Sequence, residues 1–126
     1  EITTRLVGSE MCIRDRHIKR VRTADGEPIF EENIFVPFDA YRELLTADLE
    51  DKSIFAEVER VGGTPIVSVD YRTVEAVRAN TEQAAELGIA PHDPLLNLRA
   101  GFTGPDDEPV LMGKQYYVGS RYVMVM

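Results

Sequence analysis

The chain has 126 residues, a length that suits a single domain. Its formal net charge is −8, from 22 acidic and 14 basic residues, so we do not expect the basic surface with which proteins bind DNA directly. One cysteine and two histidines exclude an internal disulfide and a Cys/His zinc cluster. The sequence shows no apolar run that could span a membrane and no signal-peptide pattern, so we expect a cytoplasmic protein.

The first sixteen residues differ in character from the rest of the chain. Residues 7–16, VGSEMCIRDR, resemble a translated sequencing adapter. We therefore predict that residues 1–16 are a non-native segment and that residues 17–126 form the domain. The alternative is a genuine short strand at residues 11–13.

Residues 18–37 are predicted to form a β-hairpin that turns at Asp25-Gly26. Glycine tolerates a positive φ, and aspartate can form a hydrogen bond to its own backbone, so this dipeptide favours a tight turn. Because side chains alternate along a strand, Arg20 and Arg22 share one face of the first strand. Because two neighbouring guanidinium groups repel each other, we expect a negatively charged group between or opposite them.

The hairpin turn decides which glutamate faces these arginines. A two-residue turn places Arg20 opposite Glu31, whereas a three-residue turn with a bulge places Ile18 opposite Glu32. A shift of one residue moves every side chain to the other face, so the sequence leaves both registers open. The charged groups could form a solvated row of ion pairs, or the two arginines could bind a phosphate or carboxylate.

The remaining elements follow from apolar spacing, helix caps and turn residues. We predict helices at residues 38–45, 53–60 and 81–87. We predict strands at residues 65–77, 94–102, 109–118 and 121–126. Asp51 or Ser53 is the expected N-cap of the second helix, and Asn80 with Gln83 is expected to form a capping box at the start of the third. A helix N-terminus attracts anions.

Several short motifs, in order, resemble one protein family. Arg20-Val21-Arg22, the ADGEP turn and Glu32 are similar to the signature hairpin of UTRA domains. These are the effector-binding C-terminal halves of GntR-type bacterial transcriptional regulators, in the subfamily of the histidine-utilisation repressor. The resemblance continues through Ser53-Ile54-Phe55, Val74-Glu75-Ala76-Val77, Pro94-Leu95-Leu96 with Arg99, Pro109-Val110 and the closing run from Tyr116 to Tyr122.

The resemblance implies a fold, a function and a set of site residues. The fold is α+β and chorismate-lyase-like, a mostly antiparallel sheet with short helices packed on one face. The function is that of a sensor domain, without catalysis, cofactor or metal, that binds an acidic small molecule carrying a phosphate or carboxylate. The implied effector-binding residues are Arg20, Arg22, Glu32, Ser53 and Tyr117.

The resemblance also implies partners. UTRA domains are commonly homodimers, and they act on DNA through a winged helix-turn-helix that precedes them. That part is not recognisable in this sequence, so we expect the fragment to lack the DNA-binding domain and one wall of the effector pocket. Two alternatives remain: a chorismate-lyase-like enzyme that binds a small carboxylate, and a purely structural dimerisation domain.

Three positions depart from the family pattern. Leu111 stands where amino-sugar-phosphate sensors of the family have a glutamate, and Val118 and Ser120 replace the usual arginine and aspartate. A leucine cannot accept a hydrogen bond from a sugar hydroxyl or an amine. We therefore predict a less polar effector that still has an acid group.

Overall fold

A computed structural model describes residues 2–8, 15–37 and 53–125. Its strands are β1 (Ile2–Gly8), β2 (Asp15–Ala24), β3 (Glu27–Pro37), β4 (Ser68–Arg78), β5 (Pro94–Thr103) and β6 (Pro109–Val118). Its helices are α1 (Ile54–Gly62) and α2 (Thr81–Leu87). The helix predicted at residues 38–45, Asp51 and the alternative strand at residues 11–13 lie outside the described residues.

The six strands form one sheet in the order β1-β2-β3-β6-β5-β4, and every neighbouring pair is antiparallel. The predicted α+β class with a mostly antiparallel sheet is confirmed. Strand β1 pairs with β2 from Ile2–Arg22 to Gly8–Arg16, so part of the segment that we set aside contributes a strand. The non-native origin of residues 1–16 stays a prediction. In the described part of the chain, no helix is both long and apolar enough to cross a membrane.

The hairpin of β2 and β3 combines features of both predicted turns. Asp25 and Gly26 have φ values of 53° and 79°, as a tight two-residue turn requires. The register then shifts, because Ile29 has no partner between Thr23–Pro28 and Arg22–Phe30. This extra residue is a β-bulge.

Arg20 consequently lies opposite Glu32. Both predicted registers are therefore wrong, since neither places these two residues together. Neither allowed for an extra residue within β3, which the bulge at Ile29 inserts after a two-residue turn.

The sheet has two faces that pack against different helices. The front face, which includes Ile18, Arg20 and Glu32, packs against α1; the back face, which includes Lys19 and Leu95, packs against α2. The buried core of the front face is Ile18, Ile34, Val36, Val58, Val110 and Leu111. That of the back face is Ala79, Ala84, Leu87, Leu95 and Val118. We predicted short helices on one face, and the structure has α1 and α2 on opposite faces.

Both helices have the caps that their sequences predict. Ser53 caps α1, and the backbone N–H of Gly63, at φ 70°, closes the other end on the Glu59 carbonyl. Asn80 and Gln83 form a capping box at the start of α2. The caps hold each short helix at a defined position on the sheet.

The strand predicted at residues 121–126 is absent from the described residues 121–125. Instead, Arg121 Nη1 donates to the Pro28 and Leu87 carbonyls at 2.9 and 2.8 Å. These bonds fix the turn after β6, and Tyr122 then stacks on Tyr117 of the front face. Tyr122 therefore lies against the front face.

Candidate functional site

Arg20 and Glu32 form a buried ion pair at the centre of the β2–β3 hairpin. Arg20 Nε donates to Glu32 Oε1 at 2.7 Å. The two side chains are only 1% and 7% exposed. Such a pair is stable when each charge satisfies the other, and removing one partner leaves a buried charge behind.

Arg22 lies further along the same face of β2. Its Nη1 is 3.9 Å from Glu32 Oε1, which is an ionic contact but too long for a hydrogen bond. The side chain is 30% exposed, in contrast to Arg20. With two cations around one carboxylate, the group of Arg20, Arg22 and Glu32 has a net charge of +1.

Hydrogen bonds continue from Glu32 into β6. Gln115 Nε2 donates to Glu32 Oε2 at 3.5 Å, and Tyr117 Oη donates to Gln115 Oε1 at 2.8 Å. The register of β3 and β6 causes this, because Glu32 is opposite Gln115 and Phe30 is opposite Tyr117. The ion pair is thereby connected to the tyrosine.

Tyr117 is held between two aromatic rings. Its ring stacks on Phe30 at a centroid distance of 4.5 Å and on Tyr122 at 4.3 Å. Burial raises the pKa of Tyr117 to about 12, and the neighbouring Tyr122 and Glu32 add to the increase while Arg22 opposes it. Its hydroxyl is therefore neutral at physiological pH and remains a hydrogen-bond donor.

A cavity of about 380 Å³ lies on the front face beside Tyr117. Its apolar lining includes Ile34, Phe55, Val74, Leu98, Ala100 and Phe102. Among the described residues, its polar lining consists of Arg72, Gln115 and the two tyrosines Tyr117 and Tyr122. A cavity of this size, mostly apolar with a few polar groups, is typical of small-molecule sites.

The floor of this cavity is made by small residues in the middle of the sheet. Ile34, Gly113, Ala100 and Arg72 are cross-strand neighbours in one row from β3 to β4. A Cβ atom at Gly113 would lie 3.3 Å from Ile34 Cδ1. Glycine and alanine in the middle of the row leave a depression between larger side chains at its two ends.

Ser53 caps α1 and is exposed. Its Oγ accepts a long hydrogen bond of 3.4 Å from the Ala56 N–H. Two residues later, Phe55 packs edge-on against Phe102 with a centroid distance of 4.8 Å and lines the cavity. The cavity lining includes Phe55 but does not include Ser53 among the described residues.

Glu31 faces the opposite side of the sheet from the arginines. Lys19 Nζ lies 3.4 Å from Glu31 Oε2 and donates to Glu86 Oε1 at 2.7 Å and Glu82 Oε1 at 3.0 Å. Asn33 Nδ2 donates to the other Glu31 oxygen at 2.9 Å. This back-face cluster, of Lys19 and its three glutamates, connects the sheet to α2.

The structure therefore places one predicted site residue in the lining of the cavity and the others outside it. It joins Arg20, Arg22, Glu32 and Tyr117 on the front face, through ionic contacts and Gln115, but only Tyr117 of these lines the cavity. Leu111, at the position of the family's glutamate, is buried in the front-face core.

Of the described polar residues that line the cavity, sequence reasoning missed three: Arg72, Gln115 and Tyr122. Alternation alone could have placed Gln115 beside Tyr117, since they are two residues apart on β6. The positions of Arg72 and Tyr122 depend on strand order and on the path of the chain after β6, for which the sequence has no local signal.

Comparisons with known proteins identify the family. The family profile of the UTRA domain matches residues 16–123. A comparison with curated protein sequences finds no match.

Solved structures show the same fold. The chain is similar to a GntR-family transcriptional regulator from Enterococcus faecalis V583, with 20% identity, a TM-score of 0.83, and coverage of 100% of this chain and 99% of that one. It is also similar to the C-terminal domain of the histidine utilization repressor from Pseudomonas syringae pv. tomato str. DC3000, with 20% identity, a TM-score of 0.82, and coverage of 100% and 97%. The effector domain of PhnF from Mycobacterium smegmatis has 21% identity, a TM-score of 0.77, and coverage of 100% and 83%. Since the family profile covers most of the sequence, this chain belongs to the UTRA domain family.

Proposed function

We propose that this chain is the effector-sensing domain of a GntR-type transcriptional regulator and that the front-face cavity binds an acidic small molecule. The observation that carries the proposal is the connection of the cavity wall to a group of net positive charge, through Tyr117, Gln115 and Glu32. The family match and its regulator neighbours support a sensor domain.

The proposed effector-binding residues are Arg20, Arg22, Glu32, Ser53 and Tyr117. Arg20 holds Glu32 in place, and Arg22 gives the front face a positive charge that attracts an anion. Tyr117 offers a ring and a neutral hydroxyl at the cavity. Ser53 stands at the N-terminus of the helix whose Phe55 lines the cavity, where free N–H groups favour negative charge.

The proposal includes the partners of the whole regulator. A net charge of −8 suits a domain that reaches DNA only through a separate winged helix-turn-helix. We propose a cytoplasmic homodimer in which the effector changes how the DNA-binding parts are held. Such a switch requires that the effector binds one arrangement more tightly than the other.

A thermal-shift screen of carboxylated and phosphorylated metabolites tests the proposal. A ligand at 100 times its dissociation constant adds about 2.7 kcal/mol to the stability, which is a readily measured increase in melting temperature. We expect at least one acid to bind the wild-type chain, and Arg22→Gln and Tyr117→Phe to reduce its affinity.

Arg99→Gln is the matched control, because it removes the same charge from an exposed position of β5 on the back face. Equal affinities for all three variants and the wild type would contradict the proposed site. A screen in which no acid raises the melting temperature would contradict an acidic effector.

The proposal also states that the domain does not catalyse a reaction. Chorismate lyase shares the predicted fold class, so its reaction is the direct test. We expect no release of pyruvate from chorismate in the presence of the chain. Release that depends on Arg20 and Glu32 would establish the enzyme alternative.

A further inference from the structure

We propose that Arg72 of β4 binds the acid group of the effector, and that the effector is therefore a compact apolar molecule with one anionic group at the β4 end of the cavity. This inference rests on the proposed function, since it assumes that the front-face cavity is the effector site. It assigns the acid contact to a residue that the sequence did not single out.

Arg20 is poorly suited to bind the acid directly. Its guanidinium is 1% exposed and already interacts with the Glu32 carboxylate through Nε and Nη2. To bind Arg20, an incoming anion would have to displace the buried Glu32 carboxylate. This is strongly unfavourable, because Glu32 would then be a buried charge without its partner. Among the described residues, neither Arg20 nor Arg22 lines the cavity.

Arg72, in contrast, lines the cavity and is exposed. Its guanidinium makes no ion pair or hydrogen bond with the described residues, so its donors are available to a ligand. A guanidinium presents donors in a planar fork that fits a carboxylate, phosphate or sulfonate. Of the arginines and lysines that the structure describes, Arg72 alone is part of this cavity.

The neighbours of Arg72 define the rest of the ligand. The adjacent row across the sheet runs from Gln115 through Leu98 to Val74, so the space between Gln115 and β4 is bordered by aliphatic side chains. Tyr122 adds an aromatic ring. This combination suits an aromatic or branched apolar body and offers few groups for the hydroxyls of a sugar.

Strand order separates Arg72 from the arginines of the hairpin. β2 and β4 are four strand spacings apart, which is about 19 Å at about 4.8 Å per spacing. An acid group that binds Arg72 therefore lies at the opposite end of the front face from Arg20 and Arg22. Arg22 then attracts the acid only at long range, so we expect Arg22→Gln to weaken acid binding less than Arg72→Gln does.

Two fluorescent dyes with similar apolar bodies test the inference on the purified chain. 8-Anilinonaphthalene-1-sulfonate has an acid group, and N-phenyl-1-naphthylamine lacks it. We expect the wild-type chain to bind both dyes and Arg72→Gln to weaken the sulfonate dye about tenfold or more, because a hydrogen bond to a charged group is lost. The neutral dye should bind the variant as it binds the wild type.

Arg78→Gln is the matched control, since Arg78 is an exposed arginine of the same strand outside the cavity lining. It should leave both affinities unchanged. Val74→Trp, at an exposed position of β4, should reduce the binding of both dyes by filling the cavity. The fluorescence of the dyes should be excited directly, so that the new indole does not contribute.

The outcomes separate this inference from the proposed function. If Val74→Trp blocks both dyes and Arg72→Gln changes sulfonate binding no more than Arg78→Gln, the Arg72 assignment is wrong and the cavity remains a ligand site. If the wild type binds neither dye, the inferred ligand class is wrong. If both dyes bind and Val74→Trp affects neither, they bind elsewhere, and that result contradicts the inference and the proposed cavity together.

Discussion

Arg20 and Glu32 lie opposite each other on β2 and β3 and form an ion pair with an Nε–Oε1 distance of 2.7 Å inside the protein. A β-bulge at Ile29 creates this pairing, since the two-residue turn by itself would place Glu31 opposite Arg20. The same shift turns Glu31 to the back face, where it meets Lys19. One extra residue in a strand thus distributes the charges of the hairpin between two sites.

Replacing Arg20 should destabilise the fold strongly. Arg20→Met leaves the Glu32 carboxylate buried without its closest cation, and losing one member of a buried pair costs about 3–5 kcal/mol. We expect a loss toward the lower end of that range, because Arg22 is 3.9 Å from the same oxygen. Urea unfolding measures the change.

Arg22→Met is the control for this prediction. Its side chain is 30% exposed, so it should lower the free energy of unfolding by only about 1 kcal/mol or less. Similar losses for both variants would show that the buried pair is not a major source of stability.

The back-face cluster predicts a pH dependence. Burial raises the pKa of the Glu31 carboxyl above its usual 4.5, Glu86 raises it further, and Asn33 and Lys19 only partly oppose this. A carboxyl whose pKa is raised in the folded state contributes stability below its usual pKa, and this contribution is lost as the pH rises through the raised value.

Glu31→Gln should therefore reduce the loss of stability as the pH rises above about 4.5, by up to about 1.4 kcal/mol per pH unit for one proton. The measurement is urea unfolding at several pH values. Glu75→Gln, which removes a carboxylate from an exposed position of β4, is the control, and the wild-type slope is the reference for both variants. If Glu31→Gln keeps that slope, Glu31 does not take up a proton on folding.

The phenol of Tyr117 should ionise only at a pH well above the usual pKa of a tyrosine. Burial, Tyr122 and Glu32 raise its pKa to about 12. Because the pKa is raised, the stability that this group contributes is present below about pH 10 and is lost as the pH rises through about 12. In an ultraviolet titration of the phenolates, Tyr117→Phe should remove a component that titrates near pH 12, and an unchanged titration curve would contradict the assignment.

Ser53 has two proposed roles that can be separated. Ser53→Ala should cost about 0.5 kcal/mol, at the low end for an N-cap, because the 3.4 Å bond to Ala56 is long and exposed. Asparagine is also a good N-cap, so Ser53→Asn should recover the stability.

The affinity for the effector gives the second readout for Ser53. If Ser53 contacts the ligand, Ser53→Asn should bind an acid from the screen more weakly than the wild type despite normal stability. Full affinity together with full stability would leave Ser53 with the capping role alone.

The sequence by itself determined the local features of this protein. Alternation placed Arg20 and Arg22 on one face, Asn80 and Gln83 predicted a capping box, and the ordered motifs predicted the family and the α+β fold. These signals are local, because they depend on residues within a few positions of each other and on backbone preferences that each residue carries with it.

Only the tertiary structure decided which residues meet at the cavity. The bulge at Ile29 selected Glu32 over Glu31, and the strand order brought Arg72 of β4 into the same cavity as Tyr117 of β6. The contacts of Arg121 with two distant carbonyls directed Tyr122 onto Tyr117 and left no strand there. Such choices depend on packing and hydrogen bonds between residues far apart in the sequence, so a local pattern of residues cannot determine them.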